Sequence, residues 1–474
     1  MAYINRRKFI TGMTAVSAAA GTGTLAALTK QRAFAADTSG YKALVCVMLR
    51  GGLDHADTII PRDGENYNAL RGARSSIMGG HGASRVRENL LPLNLASPGR
   101  FGGRQFGMPS TFGPLQEMFN AGDLAVVGDV GPLIEPIDRQ TFNNGSAAQP
   151  KRLFSHNDQQ STWEALGVEG SRAGWGGLFA DAAARSDPGS QRAFSAVTTS
   201  SASVFLFGDT VVPFRAPSGN GGLNVDMVDR RDYLGGNARY DAAREEILDF
   251  LRLAPVDQGN LYARDVKQIQ ADGVGITLQF REASEQAVSL DFPFPGSRLG
   301  NQLRTVAQTI GMRDLLNVNR QVFFVETGGF DTHNNQAGRI AGLQNDIVAS
   351  LAAFREAMIA QGDWDRVALF TVSDFGRTLV ENGAGTDHGW GGYMMVMGGN
   401  VQGGDIYGSM AAPTPGSNRY TDSRGRLIPS TSVEQYAATL GRWFGLDEGE
   451  LSAALPNLAN FDSRNLGFMG GGGD

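Results

Sequence analysis

The sequence predicts a doubly wound α/β fold, a mainly parallel sheet with helices on both faces. Three observations carry this expectation. Short apolar runs recur at residues 41–49 (YKALVCVML), 321–325 (QVFFV) and 367–372 (VALFTV), as expected of strands buried on both faces. A long stretch with helical spacing, residues 336–360, separates two of these runs and is suited to a right-handed crossover. An aspartate follows each run closely: Asp54 after Gly51-Gly52, Asp331 after Gly328-Gly329, and Asp374 directly.

Residues 1–35 read as an export leader. Arg6, Arg7, Lys8, Phe9 and Ile10 form a twin-arginine signature, a weakly apolar Ala/Gly/Thr stretch follows, and Ala33-Phe34-Ala35 is an A-x-A-like cleavage site. The apolar stretch is short and broken by Gly and Thr, so no stable membrane span is expected in the mature form. The expected partner is the twin-arginine export machinery, and the destination is the periplasm or the exterior.

The elements then follow in order. After the strand at 41–49, residues 64–107 are rich in Gly, Arg and Ser and read as a flexible insertion or lid. Residues 114–121 have helical spacing and 124–127 (LAVV) form a short buried strand. Ser155 is placed to cap a helix starting at His156. Residues 195–216 contain SVFLFGDTVVPF, which reads as a β-hairpin or strand pair. Helices are expected at 238–253, at 261–287 with a break near Gly273 and Gly275, and at 301–316. The stretch 193–295 is therefore read as a mostly helical insertion within one domain spanning 36–465. The regular pattern resumes with the strands at 321–325 and 367–372, a strand at 393–397 (YMMVM) and a helix at 432–444. Residues 466–474, ending in FMGGGGD, are expected to be a flexible tail.

Composition removes several function classes. The chain has 42 Lys+Arg against 48 Asp+Glu, a net charge of −6. The leader carries five basic and no acidic residues, so its removal leaves −11. Such a surface argues against nucleic acid as a partner, while a small anionic substrate held locally stays open. Cys46 is the sole cysteine; it lies in an apolar run and is expected to be a buried free thiol.

The five histidines carry the chemical signal. Four fall in polar segments that also hold aspartates: RGGLDHAD, FSHNDQQ, GGFDTHNN and SDFGRTLVENGAGTDHGWGG. Carboxylate and neutral imidazole together bind borderline divalent cations such as Zn²⁺ or Mn²⁺. In a doubly wound sheet, ligands bind outside the carboxyl ends of the strands. Asp54, Asp331 and Asp374 would all emerge at that edge, and His388 lies on a Gly-rich loop able to fold over it. Carboxylates gathered there repel unless a cation compensates. The alternative is that each aspartate caps a helix or closes a turn.

These segments also carry a resemblance. LRGGLDHADTIIP, FSHNDQQSTWE, GGFDTHNNQ and SDFGRTLVENGAGTDHGWGGYMMVMGG followed by VQGGDIYG resemble the family called domain of unknown function 1501. That family is similar in turn to the alkaline phosphatase/sulfatase superfamily, and the match covers most of the mature chain. The resemblance implies an alkaline phosphatase-like fold and a divalent metal (Zn, Mn or Ca). It implies metal ligation by Asp54, by Asp331 with His333, by Asp374 and by His388, and a nucleophile at the start of a helix, nearest to Ser155. Two positions depart from that pattern: Phe375 stands where the superfamily usually has a histidine, and Asp331 and His333 are only two residues apart. Asp387 or His156 would then supply missing ligands, and Arg377 would replace the charge of one cation.

Other readings stay beside these. Ser155 is either a plain N-cap or the attacking group, and His156 and Asp158 either orient that helix terminus or join the site. His55 would hold a neighbouring carboxylate, and His81 would be solvated. Arg50 and Arg377 would clamp an anionic group or simply be exposed; Trp175 and Trp390 would pack or line a pocket. No sulfatase maturation signature, GxSxG elbow, P-loop or dinucleotide-binding fingerprint in context is present. The expected function is an exported metal-dependent hydrolase of phosphate or sulfate esters, with Ser155, His156 and Arg377 as catalytic candidates. The alternative is a non-catalytic envelope binding or assembly protein. A carbohydrate-binding module is a third reading, suggested by the aromatic residues in the GWGG segments.

Overall fold

Alternation along β1 (Lys42–Arg50) sets the layers of the molecule. Ala43, Val45, Val47 and Leu49 face one apolar core; Leu44, Cys46 and Met48 face another. A strand buried on both faces needs apolar residues at every position, which is why this run shows no polar alternation. The computed structural model describes residues 35–218, 246, 260–288, 290 and 292–471. The expected leader, apart from Ala35, and the helix expected at 238–253, apart from Glu246, lie outside the described residues.

A three-stranded sheet combines β2 (Ile60–Pro61), β3 (Leu91–Pro92) and β4 (Phe106–Met108). The main sheet adds β5 (Leu124–Gly131), β6 (Ala196–Thr198), β7 (Phe214–Arg215), β8 (Arg320–Gly328), β9 (Val367–Ser373), β10 (Gly392–Met397), β11 (Ile406–Gly408) and β12 (Thr431–Ser432). Among the described residues its order is β11-β5-β10-β9-β1-β8-β6-β7, with β12 also paired to β5. The fold is therefore α/β with a mixed, mostly parallel sheet. β1 runs parallel to both β8 and β9, whereas β10 is antiparallel to β5 and to β9.

Helices cover both faces. Gly113–Ala121, Arg298–Gly311 and Gln336–Gln361 contribute Phe119, Leu303 and Phe354 to the first core. Trp175–Ser186 and Val433–Phe444 contribute Phe179 and Tyr436 to the second. Ser432 opens the last of these helices with a capping box to Gln435. Among the described residues, no helix is long and apolar enough to cross a membrane.

Several expectations need correction. The stretch 64–107 is not a loose lid. It holds the helices Gly64–Ala73 and Ser75–Gly80, buries Tyr67, Leu70, Ile77 and Phe106, and is pinned by two buried arginines. Arg74 pairs with Asp54 at 2.9 Å, and Arg85 pairs with Asp57 at 2.9 Å. His81 is not solvated: its Nε2 lies 3.2 Å from Asp57 Oδ2, with only 3% of the side chain exposed. Residues 195–216, expected as a β-hairpin or strand pair, do hold two paired strands, β6 and β7, but these run parallel rather than as a hairpin, with a 3₁₀ turn, Val204–Leu206, between them. Since β6 pairs with β8, the insertion does not begin at residue 193. The helix Leu261–Gln286 runs unbroken past Gly273 and Gly275. The tail is anchored as far as it is described, because Phe468 is fully buried and Met469 bridges Val401.

Candidate functional site

The register of three parallel strands creates the site. Arg50 of β1 lies opposite Gly328 of β8, and Leu49 lies opposite Ser373 of β9. The chain therefore leaves all three strands at one level. β10 runs the other way, so the segment before it, which carries His388, reaches the same edge. Two glycines let these exits pack closely. Gly51 has φ +112°, and a Cβ there would lie 2.5 Å from the Asp331 backbone nitrogen; Gly52 has φ +84°, and its Cβ would meet the Phe375 ring at 2.5 Å.

Asp331 Oδ1 is the centre of a cluster of three imidazoles. His333 Nε2 lies 2.9 Å from it, His388 Nε2 3.2 Å and His156 Nε2 3.6 Å. His333 Nε2 and His388 Nε2 are 3.0 Å apart. His156, Asp331 and His388 offer ligand atoms that all lie within 4.8 Å of one another.

Each ring turns its other nitrogen outward. His156 Nδ1 meets Asp374 Oδ2 at 2.6 Å, His388 Nδ1 meets the Phe154 carbonyl at 2.9 Å, and His333 Nδ1 lies 3.4 Å from Asp387 Oδ1. An ionised carboxylate and a carbonyl can only accept, so Nδ1 of His156 and of His388 carries the hydrogen. The lone pair of each neutral ring is then at Nε2. Outer acceptors that fix imidazole orientation in this way are the usual support of metal-ligating histidines. Phe375 packs beneath two of the rings, 4.7 Å from His156 and 4.8 Å from His388 between ring centroids.

Two buried polar atoms of the site have no hydrogen-bond partner: His156 Nε2 and Asp374 Oδ1. The remaining oxygen of Asp374 is fully used, accepting from Gly51 N at 3.0 Å and Gln160 Nε2 at 2.9 Å as well as from His156. His156 Nε2, His388 Nε2 and Asp331 Oδ1 form a donor set that fits a divalent transition cation, with His333 Nε2 beside it, 2.9 Å from Asp331 Oδ1 and 3.0 Å from His388 Nε2.

The hydrogen bond to Asp374 raises the pKa of His156 above the ordinary histidine value, against the effect of burial. Burial opposes ionisation of Asp331, yet the hydrogen bond and charge of Arg377, with His156 and His333, hold its carboxyl at about 2. Burial lowers His388, and the hydrogen bond from Asn382 leads the effects that lower Asp387.

Not every expected residue joins the cluster. Asp54 is a correction: both of its oxygens accept from Arg74 Nη1 at 2.9 Å, and Oδ2 also accepts from Gln336 Nε2. Its carboxylate is occupied by a buried ion pair. Arg377 is likewise spent. It is fully buried and donates to Asp331 Oδ1 and the Gly51 carbonyl, both at 2.9 Å, and to the hydroxyl and carbonyl of Thr386. It steadies Asp331 and has no free edge to clamp a substrate. Ser155 starts the helix His156–Ala165 without capping it through its side chain; its hydroxyl donates to Asp158 Oδ2 at 2.7 Å. Asp387 accepts from Asn382 at 2.9 Å and serves as the outer partner of His333. His55 is buried against Tyr393, with ring centroids 4.7 Å apart, and burial lowers it to about 4.

Sequence reasoning missed four contributors: Gln160, the Phe154 carbonyl, Gln336 and Thr386. Gln160 lies one helical turn after His156, and this spacing is a usable signal. Phe154 sits at φ +71°, which nothing in its side chain announces. Gln336 and Thr386 link the Asp54 pair to Arg377: Thr386 Oγ1 donates to Gln336 Oε1 at 2.7 Å and accepts from Arg377 Nε at 3.0 Å.

Residues 260–454 match the model of a family described as "Protein of unknown function (DUF1501)". This span includes Asp331, His333, Asp374, Arg377 and His388, but not Ser155 or His156. No curated protein matches the chain. A solved structure titled "Crystal structure of Ps i-CgsB" is similar at 10% identity, over 88% of this chain and 77% of that chain, with a TM-score of 0.30. A likeness at that level bears on neither fold family nor activity.

Proposed function

We propose that the chain is an exported, metal-dependent hydrolase of phosphate or sulfate esters, with one divalent cation held by His156, His333, His388 and Asp331. The observation that carries this reading is the convergence of three imidazole Nε2 atoms on Asp331 Oδ1, with each Nδ1 turned towards an outer acceptor. A cation so held would polarise an ester oxygen and offset the charge that develops during attack. Nitrogen-rich ligation favours Zn²⁺ or Mn²⁺ over Ca²⁺, which prefers oxygen donors.

The chain's own groups have distinct tasks in this reading. Asp374, the Phe154 carbonyl and Asp387 orient the rings. Arg377 keeps Asp331 ionised. The Ser155 hydroxyl, next in sequence to His156, has a carboxylate acceptor in Asp158 at 2.7 Å, the pairing an attacking hydroxyl needs to lose its proton. The order of motifs, similar to that of the alkaline phosphatase/sulfatase superfamily, supports the reaction class and an alkaline phosphatase-like fold. The twin-arginine leader supports delivery to the periplasm or beyond.

One observation favours the rival, a non-catalytic envelope binding or assembly protein. With Arg377 spent on Asp331, Gly51 and Thr386, an anionic substrate finds no free guanidinium there. Metal analysis of the purified mature protein decides between the two, together with hydrolysis of 4-nitrophenyl phosphate and 4-nitrophenyl sulfate. The expected result is about one transition ion per chain and turnover that His388→Ala abolishes. Bound metal without turnover selects the rival; neither metal nor turnover overturns both the centre and the enzyme.

A further inference from the structure

The helix His156–Ala165 brings His156 to the cluster, yet it is mostly polar and only 10 residues long. So short a helix has little stability of its own, and polar contacts on one face carry much of its placement. His156, Gln160 and Glu164 recur every fourth residue and share that face. Each meets a group at the end of a central strand. His156 Nδ1 and Gln160 Nε2 both donate to Asp374 Oδ2, at 2.6 and 2.9 Å. Gln160 Oε1 accepts from Arg50 Nη1 at 2.7 Å, and Glu164 Oε1 accepts from Arg50 Nη2 at 3.2 Å. Arg50 closes β1, and its Nε donates to Glu326 Oε2 on β8. Read from the sequence as an anion clamp or an exposed side chain, Arg50 is neither, since each of its three nitrogens is engaged within the fold.

We infer that Arg50 and Gln160 form an orienting relay: Arg50 fixes the Gln160 amide, Gln160 holds Asp374, and Asp374 turns His156 Nε2 into the cluster. The inference rests on His156 as a ligand of the proposed centre and makes Arg50 and Gln160 positioning residues. The two ends of a glutamine amide have nearly the same shape, so their neighbours decide which way round it sits. A guanidinium only donates and an ionised carboxylate only accepts. Gln160 therefore has one arrangement, Oε1 towards Arg50 and Nε2 towards Asp374. Turning it over would set nitrogen against guanidinium and oxygen against carboxylate. Asp374 Oδ2 takes a third donor, Gly51 N, at 3.0 Å, so the carboxylate is held from the exit of β1 and from the helix together. The Glu164 contact, one turn further on, keeps the helix in register with Arg50.

The test uses the whole mature protein. With only five histidines in the chain, spectra of [¹⁵N]histidine-labelled protein are simple, and His156→Gln identifies the His156 signals. Hydrogen exchange at His156 Nδ1 is read on chelated protein, and Zn²⁺ affinity by competition with a chromogenic chelator. Gln160→Glu keeps an acceptor for Arg50 but turns an oxygen towards Asp374, whereas Gln160→Leu removes both ends. Both should weaken Zn²⁺ binding about 10- to 100-fold and speed Nδ1 exchange about 10-fold or more, while Gln160→Glu keeps the wild-type Tm. Arg50→Lys keeps the charge but loses the planar fork that serves three acceptors. It should move both readouts the same way and lower kcat for 4-nitrophenyl phosphate with KM unchanged. Wild-type values in both Gln160 variants overturn the relay. An effect confined to Gln160→Leu and accompanied by a fall in Tm marks a tie that only holds the helix, and overturns it too. Arg50→Lys that raises KM with unchanged Zn²⁺ affinity makes Arg50 an anion clamp, with the same consequence. A wild-type protein that binds no metal overturns the proposed centre instead, and Nδ1 exchange in the chelated variants then decides the relay by itself.

Discussion

Asp54 follows its strand much as Asp331 and Asp374 follow theirs, yet the structure makes it half of a buried ion pair. A double-variant cycle separates that role from metal ligation. Asp54 is 4% exposed and Arg74 is fully buried. Arg74 contacts both carboxylate oxygens at 2.9 Å and donates to the carbonyls of Leu379 at 3.1 Å and Thr378 at 3.0 Å. Asp54→Asn leaves the guanidinium charge buried without its counter-ion and should cost about 3–5 kcal/mol. Arg74→Met strands the carboxylate and also removes the donor from two carbonyls, so its loss belongs at the upper end, about 5 kcal/mol. The double variant buries neither charge. Its loss should fall about 3 kcal/mol short of the sum of the two single losses. Urea unfolding at pH 7 with a chelator present measures all four proteins, and metal content of the unchelated samples is read in parallel. Asp54→Asn should lose stability while keeping about one ion per chain. Losses that add within about 0.5 kcal/mol, or an Asp54→Asn protein with an unchanged urea midpoint and no metal, would refute the assignment.

Three further outcomes follow from single contacts. Asp374→Asn removes the carboxylate that orients His156 and should weaken metal affinity about 10- to 100-fold, as read by competition with a chromogenic chelator. Gly51→Ala forces a Cβ to within 2.5 Å of the Asp331 nitrogen at φ +112°; it should destabilise the fold by at least about 1–3 kcal/mol and lower metal content as Asp331 is displaced. Burial raises Glu434 to about 7, so the folded state favours its protonated form. Its contribution is therefore fully present below the unfolded value of about 4.3, is lost as pH rises towards 7, and is absent above that. Glu434→Gln should flatten stability across this window and gain up to about 3 kcal/mol at pH 8, measured by urea midpoints at several pH values.

The central strands were legible because burial on both faces leaves an unbroken apolar run, as in the stretch that became β1. The exit of Asp331 and Asp374 at one edge followed from that parallel register. The direction of β10 was not legible, since strand direction leaves no mark on composition; yet it is this reversal that delivers His388. The packing of residues 64–107 was missed for another reason. Arginine in a Gly-rich stretch reads as surface, and only the fold reveals that Arg74 and Arg85 are buried against Asp54 and Asp57. The different fates of Asp54 and Asp331 have a local cause. After Gly51-Gly52 the chain enters the 3₁₀ turn His55–Asp57, with Asp54 at its start and turned to Arg74, whereas Asp331 stays in the open loop between β8 and the helix Gln336–Gln361.

The arrangement of hydrogens explains why a cation suits this site better than a proton. With Nδ1 of His156 and of His388 committed to an acceptor, each neutral ring points a lone pair at the same carboxylate oxygen. Lone pairs and a carboxylate facing one another repel. One proton between His333 Nε2 and His388 Nε2, 3.0 Å apart, would relieve that pair alone and leave His156 Nε2 buried and unpartnered. Protonating all three rings would gather three positive charges around Asp331, beside the buried guanidinium of Arg377. A single dication is shared by every donor at once, and Arg377 then serves to keep Asp331 anionic rather than to bind substrate. The outer acceptors orient the rings whichever group attacks, so the identity of the attacking group is tested at the Ser155–Asp158 pair. If Ser155 attacks the ester, Ser155→Ala should abolish turnover while leaving about one ion bound per chain; if it only orders the helix start, turnover should persist.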